Sequence, residues 1–357
     1  MFKLLHLSLL LFGAVFGTCA RAESVLFLNP GSTQEAFWVS YSQFMQAAAR
    51  DLGIDLRILY AQRQPELTLA QARLALQGPE RPDYLVFVNE QYVAPQILRL
   101  ANGSGVKLFI VNSALTPNQQ ALVTEGADRI GSLVPNDEEG GYLMMKELIR
   151  LHPPVAPGES IDLLAFSGLK ITPSAQLREK GMQRALAENP QVHLRQLVYG
   201  GWTQQRAYEQ AKQLLVRYPN VSLVWAANDE MAFGAMRAAS EVGKVPGKDV
   251  LFSAVNTSPE ALQAVVDGRL SALLGGHFTL GGWALVELHD HAQGVDLNQY
   301  GGRDRQIPLL QLIDRDHARR ILAMGASPDY GVQFRKLSAK GRPVSYRYPF
   351  NLQTLMH

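Results

Sequence analysis

Short, unbroken apolar runs alternating with amphipathic stretches constrain this chain more than any other feature. SVLFLN (Ser24–Asn29) precedes an amphipathic stretch over 37–52, and IDLRILYA (54–61) precedes LTLAQARLALQ (67–77). DYLVFVN (83–89) leads into a helical stretch ending near Gly103, and VKLFIVN (106–112) follows. A second series begins near Pro135. It runs IDLLAFS (161–167), a helix over 175–188, HLRQLVY (193–199), a helix over 204–218 and SLVWAAN (222–228). A helix to Val242, VLFSAVN (250–256) and a helix over 259–267 complete it. Continuous apolar runs of this length predict strands covered on both faces of a parallel sheet, with helices as right-handed crossovers. At 357 residues the chain is too long for one ordinary core. The expectation is an α/β protein of two Rossmann-like lobes.

Several runs end in an amide where strand hands over to helix: Asn29, Asn89, Asn112, Asn228 and Asn256. Open parallel sheets bind ligands outside the carboxyl ends of their strands. A single such Asn is usually a turn residue or helix cap, but five of them on two lobes predict a cleft lined with amides.

Hydrophobic residues make up 47% and charged residues 18%, which suits a soluble protein with a sizeable core. A net charge of +2, without basic or acidic tracts, gives no support to nucleic-acid or membrane-surface binding. The stretch MFKLLHLSLLLFGAVFGTCARAES reads as a secretory signal peptide over residues 1–22. Lys3 supplies its positive region, 4–16 its apolar core, and Ala20-Arg21-Ala22 a small-x-small site cleaved after Ala22. The apolar run is shorter than the roughly 20 residues of a spanning helix. Cys19, the one cysteine, lies in this leader within a poor lipoprotein signal. A mature chain from Glu23 would therefore have neither disulfides nor a catalytic thiol. Periplasmic localisation is expected.

Other constellations point away from catalysis. In Glu287-Leu288-His289-Asp290-His291 the two histidines would point about 200° apart on a helix, whereas zinc pairs use i, i+4 spacing, so the segment reads as a solvated helix end. Asp137-Glu138-Glu139 reads as the acidic first turn of a helix. There is no G-x-S-x-G elbow, P-loop or dinucleotide fingerprint, and Gly103-Ser104-Gly105 precedes a strand rather than a helix. No enzyme activity, cofactor or metal is expected.

Four pieces carry a family likeness: EAFWVSYSQFMQAAARDLG (35–53), PSAQLREKGMQRAL (173–186), ANDEMAFGAMRAASEVGK (227–244) and AVNTSPEALQAVVDGRL (254–270). In this order and spacing, over about 24–294, the chain resembles the type I periplasmic solute-binding proteins, the group of ribose- and galactose-binding proteins of bacterial importers. The resemblance implies two lobes joined by a three-crossing hinge near Pro135, Gly276 and Leu310. The first lobe would hold 23–134 plus 277–310, and the second 135–276 plus 311–357 with an extended tail. The lobes would hinge shut on a ligand. A gene regulator of this fold would need a helix-turn-helix where the leader stands.

Carried over residue by residue, the resemblance places Phe37 and Trp38 as aromatic faces against a sugar. It makes Arg178 a five-donor fork, Trp202 in GGWTQQ a lid, and Asn228 a ligand-gripping amide. Asp229 then reads as the helix N-cap, with Glu230 in the first turn. Glu35 stands where an asparagine is common, and His277 where a glutamine or asparagine often contacts ligand. Asn112-Ser113 replaces an Asp-Arg pair and Asn256 replaces an Asp, removing charge-assisted hydrogen bonds. That points away from ribose and galactose toward another sugar, polyol or sugar acid. The implied partner is an inner-membrane ABC permease. The alternative is a membrane-bound signalling receptor (kinase, cyclase or chemoreceptor), and in either case a monomer is expected. In the tail, IPLLQLIDRDHARRIL fits the third hinge strand and a closing helix, and FRKLSAKGRPVSYRYPF an added strand or arm.

Overall fold

The computed structural model describes residues 22–121, 128–324 and 329–355. The expected leader up to Arg21, Cys19 included, lies outside them. From Ser24 the elements alternate as β1 (Ser24–Asn29), α1 (Ala36–Leu52), β2 (Asp55–Tyr60), α2 (Pro65–Gln77) and β3 (Tyr84–Val88). Then come α3 (Ala94–Ala101), β4 (Lys107–Val111), the single turn α4 (Pro117–Gln120) and β5 (Arg129–Pro135). The second series is α5 (Asp137–Leu151), β6 (Ile161–Ser167), α6 (Pro173–Ala187), β7 (Val192–Tyr199) and α7 (Gln204–Arg217). It continues with β8 (Leu223–Ala226), α8 (Asp229–Glu241), β9 (Leu251–Val255), α9 (Pro259–Asp267) and β10 (Ala272–Gly275). After these stand α10 (Leu280–Ala292), β11 (Asp304–Ile307), β12 (Gln311–Leu312) and α11 (Arg315–Met324).

Two six-stranded sheets result, ordered β11-β5-β4-β3-β1-β2 and β12-β10-β9-β8-β6-β7. Every pairing is parallel except that of β12 with β10. Burial follows sheet position. All five residues of β3 are buried, because helices cover both faces, while the edge strand β2 alternates exposed with half-buried. Helix α1 shows why these amphipathic stretches dock: Trp38, Tyr41, Met45, Ala48 and Leu52 recur at three- and four-residue spacing and are all buried. The helix stops at Gly53, whose φ of 77° suits glycine. Helix α9 starts where the Ser258 side chain accepts from Ala261 N and Pro259 fills the first turn.

The chain leaves the first sheet after Pro135, returns to it after Gly275, and crosses again between Ile307 and Gln311. The tail differs from its expected place in the second lobe. Helix α11 does lie on α9, but residues 329–352 pack on α1 and α10 of the first lobe. Phe334 meets Phe44 and Trp283 with ring centroids 5.3 and 5.8 Å apart, and Phe350 stacks on Trp283 at 5.3 Å.

The reason is apolar and electrostatic together. Asp290, fully buried at the end of α10, accepts from Ser338 Oγ, from Ala339 N (2.6 Å) and from Tyr348 Oη (2.7 Å). Glu287, also fully buried, pairs with Arg305, whose guanidinium lies 4.8 Å from the Tyr348 ring centre. The segment expected to be a solvated helix end is therefore the anchor of the arm. The arm itself is coil and single 3-10 turns rather than a strand.

Candidate functional site

The carboxyl ends of both sheets face one cavity of about 210 Å3. From the first lobe, the β1–α1 connection brings Glu35, the first turn of α1 brings Phe37 and Trp38, the loop after β2 brings Arg63, the turn after β3 brings Glu90, and the end of β4 brings Asn112. From the second, α6 brings Ser174 and Arg178, and the β7–α7 connection brings Trp202. The start of α8 brings Asn228, Asp229 and Glu230, the end of β9 brings Asn256, and the second crossing brings His277. Nine of the ten expected site residues line this space. Ser113 does not: it is buried beside β4 with its backbone N bonded to Val111 O.

Arg63, Asn112, Trp202 and Asn256 all have positive φ (58°, 64°, 69° and 107°). Such strain in non-glycine residues collects where a fold over-determines a site. Two glycines make room for the cleft tryptophans. A Cβ on Gly31 would sit 2.1 Å from Trp38 Cδ1, and one on Gly168 would sit 2.1 Å from Trp202 Cε2.

The five handover asparagines divide. Asn29 bonds Ser42 Oγ, Trp38 O and Gly31 N, and Asn89 bonds Ala114 O, Gln119 Oε1 and Ala94 N, so both serve as turn residues. Asn112, Asn228 and Asn256 reach the cavity. Asn228, rather than Asp229, is the N-cap of α8: its Oδ1 accepts from Met231 N at 2.9 Å and its Nδ2 donates to Trp202 O at 3.1 Å. Asp229 stands one residue inside the helix and is buried. It accepts from Asn256 Nδ2 (2.7 Å) and Ser258 Oγ (2.5 Å), which aims the Asn256 side chain. The Asn112 Oδ1, His277 Nδ1 and Trp202 Nε1 atoms are buried with no protein partner among the described residues.

Both arginines are already paired. Arg178 Nε donates to Asp137 Oδ1 at 2.7 Å and Nη1 to Ala227 O at 2.7 Å, and Nη2 lies 3.5 Å from His277 Nε2. The Asp137 expected only to start a helix is thus the buried counter-charge of Arg178. Close packing of α5 on α6 permits it, since a Cβ on Gly181 would lie 1.8 Å from Glu138 O. Arg63 is held by Glu35 at 2.5 Å and by Glu90 at 2.9 Å. Burial, and then the Arg178 charge, keep His277 well below its usual pKa, so its ring is neutral; it stacks on Phe37 at 4.5 Å. Burial pushes the carboxyls of Glu90, Asp137 and Asp229 upward. Burial and then the charges of Asp229, Glu260 and Glu35 push Glu230 up to about 7.

Arg63 and Glu90 do not stand out in the sequence, and Glu230 reads there as a first-turn acid rather than as part of the cavity lining. Arg63 and Glu90 lie just past the ends of β2 and β3, so the strand-end rule that singled out the asparagines reaches them once polar residues of every kind are admitted. Chemically, the cleft offers aromatic faces from both lobes, neutral hydrogen-bonding groups and carboxylates. It holds no group of three or more metal ligands among the described residues.

Residues 25–295 match the model of the periplasmic binding protein domain, so the chain belongs to the periplasmic binding protein family. The ribose import binding protein RbsB of Escherichia coli is 24% identical over 256 residues, covering 71% of this chain and 80% of that protein. The galactofuranose-binding protein YtfQ of the same organism is 24% identical over 269 residues, covering 71% and 77%. The crystal structure of a periplasmic sugar-binding protein from Pseudomonas fluorescens superposes with a TM-score of 0.88 at 63% identity, covering 94% of this chain and 99% of that one. These relatives are binding proteins rather than enzymes, and the two sheets match the type I architecture.

Proposed function

We propose that this protein is exported to the periplasm, captures one small sugar or polyol between its lobes, and delivers it to an ABC importer. The observation that carries the reading is the cavity, lined from the carboxyl edges of both sheets, so that one ligand touches both lobes at once. A ligand favours the closed arrangement only by its extra affinity for it, and contacts from both lobes supply that difference. The similar protein of Pseudomonas fluorescens is described as sugar-binding, and RbsB as a ribose import protein. The description of RbsB favours import over docking on a signalling receptor.

Within the cleft, Phe37 and Trp202 offer ring faces to the C–H side of a sugar from opposite lobes. Asn112, Asn256, Arg178 and the neutral His277 serve its hydroxyls. Trp38, only 2% exposed, forms the floor under Phe37. A thermal-shift screen of the chain from Glu23 against sugars and polyols tests this. A ligand at 100 times its Kd should stabilise by about 2.7 kcal/mol, and deletion of the gene should abolish uptake of that ligand. A stabilising ligand whose uptake survives deletion would contradict delivery to an importer.

A further inference from the structure

The net charge of +2 conceals a local imbalance in the arm. From Tyr330 to the end of the chain stand Arg335, Lys336, Lys340, Arg342 and Arg347, without one Asp or Glu. All five are exposed. Arg335 is turned to Asp51, whose carbonyl accepts from its guanidinium. The other two guanidinium groups also meet backbone carbonyls. Arg342 donates to Lys336 O at 3.3 Å, and Arg347 to Val344 O and Tyr346 O at 2.9 and 2.8 Å. Among the described residues, Lys336, Lys340, Arg342 and Arg347 have no carboxylate partner, so their charges stay uncompensated. Tyr346 gathers them: the Arg342 guanidinium lies 5.5 Å from its ring centre, and its hydroxyl donates to Leu337 O, next to Lys336. Between Arg342 and Arg347 the arm presents Pro343 and Val344, both exposed, Val344 by 65%.

This patch is held in place and stands away from the cleft. Asp290 fixes Ser338, Ala339 and Tyr348, and Phe350 stacks on Trp283. Helix α10 starts beside the cleft residue His277 and runs 13 residues, about 20 Å, toward the end that holds Asp290. The arm also lies beyond residues 25–295, the part that matches the family domain.

We infer that this face of the arm is a docking surface for anionic lipid headgroups, with Lys336, Lys340, Arg342 and Arg347 supplying the charge and Val344 an apolar tip. Each cation set against an anionic bilayer tightens association about fivefold. Such attraction needs no shaped pocket, only several uncompensated cations on one held segment. An apolar tip among them suits the headgroup boundary better than a wholly acidic protein face. The contact is reversible, and its distance from the cleft leaves ligand exchange free. With export to the periplasm, the membrane met in this way is the one that holds the importer.

Co-sedimentation of the chain from Glu23 with vesicles tests the inference, and it does not depend on the reading of the cleft. The leader is left out because its apolar run would bind lipid by itself. Vesicles of phosphatidylcholine with phosphatidylglycerol should bind the protein about tenfold or more tightly than phosphatidylcholine alone at low salt, and added salt should weaken this by screening. Replacing Lys336, Lys340, Arg342 and Arg347 together by Gln should reduce binding to the level of neutral vesicles without lowering the melting temperature. Replacing four exposed cations of the second lobe, Lys170, Arg206, Arg217 and Lys248, by Gln gives the same net charge and should leave binding intact. Val344→Ser should weaken it about threefold at unchanged charge. Equal binding to both kinds of vesicle, as an acidic protein partner would imply, or an equal loss in the two fourfold variants, would overturn the inference and leave the sugar site standing.

Discussion

Tyr92 Oη donates to Gln176 Oε1 at 2.8 Å, joining the turn after β3 in the first lobe to α6 in the second. Tyr92 sits at a φ of 64°, and because its partner lies on the other lobe the bond exists only while the lobes are together. Tyr92→Phe keeps the ring and removes the bond. An exposed hydrogen bond contributes about 0.5–1.5 kcal/mol, so ligand affinity should fall about threefold to tenfold with the melting temperature of the free protein nearly unchanged. Calorimetry and differential scanning together check this, and an unaltered affinity would show that the bond does not favour closure.

The Asp137–Arg178 pair sets a different expectation, because both side chains are buried, 2% and 5% exposed. Removing one partner of a buried pair leaves an uncompensated charge and costs about 3–5 kcal/mol. Arg178→Ala should therefore lower stability as well as affinity. Asp137→Leu combined with Arg178→Met should recover much of the stability but none of the affinity. Urea unfolding beside ligand titration distinguishes the two effects. A double variant that binds normally would remove Arg178 from the ligand site.

Most strands and helices were legible from the apolar runs: SVLFLN and IDLLAFS are β1 and β6, residue for residue, and PEALQAVVD is α9. Strand β5 was not, because Gly131 and Ser132 interrupt its apolar run, and neither were the four-residue strands β10 and β11. The site was legible where family spacing marks it, but not in how its charges pair. Asp137 looks like any first-turn acid until α5 packs on α6. Asp290 looks like a solvated helix end until the arm returns from almost fifty residues away to cover it. Pairings across such distances leave no local trace in the sequence.

Stability should also respond to pH through Glu230. Its carboxyl keeps its proton in the fold up to about pH 7 but loses it near 4.5 when unfolded. Between those values the folded state binds more protons, so stability falls as pH rises through the window. Glu90, Asp137 and Asp229, also raised by burial, act in the same direction. His277 acts oppositely, its share being lost as pH falls below its ordinary value of 6.5. Comparing melting temperature against pH for the wild type and Glu230→Gln isolates one group. The decline toward neutral pH should be shallower in the variant, and superimposable curves would refute the assignment.

The arm is expected to contribute to the first lobe's stability rather than to binding directly. Asp290→Ala deprives three donors of their acceptor, and each buried unsatisfied group costs about 1–3 kcal/mol. Phe44→Ala, at the centre of the ring cluster shared with Phe334, should cost about 3–5 kcal/mol. Limited proteolysis should cut Asp290→Ala first within 329–352. Wild-type resistance in that segment would show that the arm holds without its anchor.

Native mass spectrometry of the chain from Glu23, incubated with pooled neutral sugars and polyols, tests the central claim most directly. One adduct of monosaccharide mass per chain, lost in a Trp202→Ala variant that remains folded, is the expected result. A protein that carries no adduct, or that keeps it undiminished without Trp202, would contradict capture of a single sugar between the two lobes.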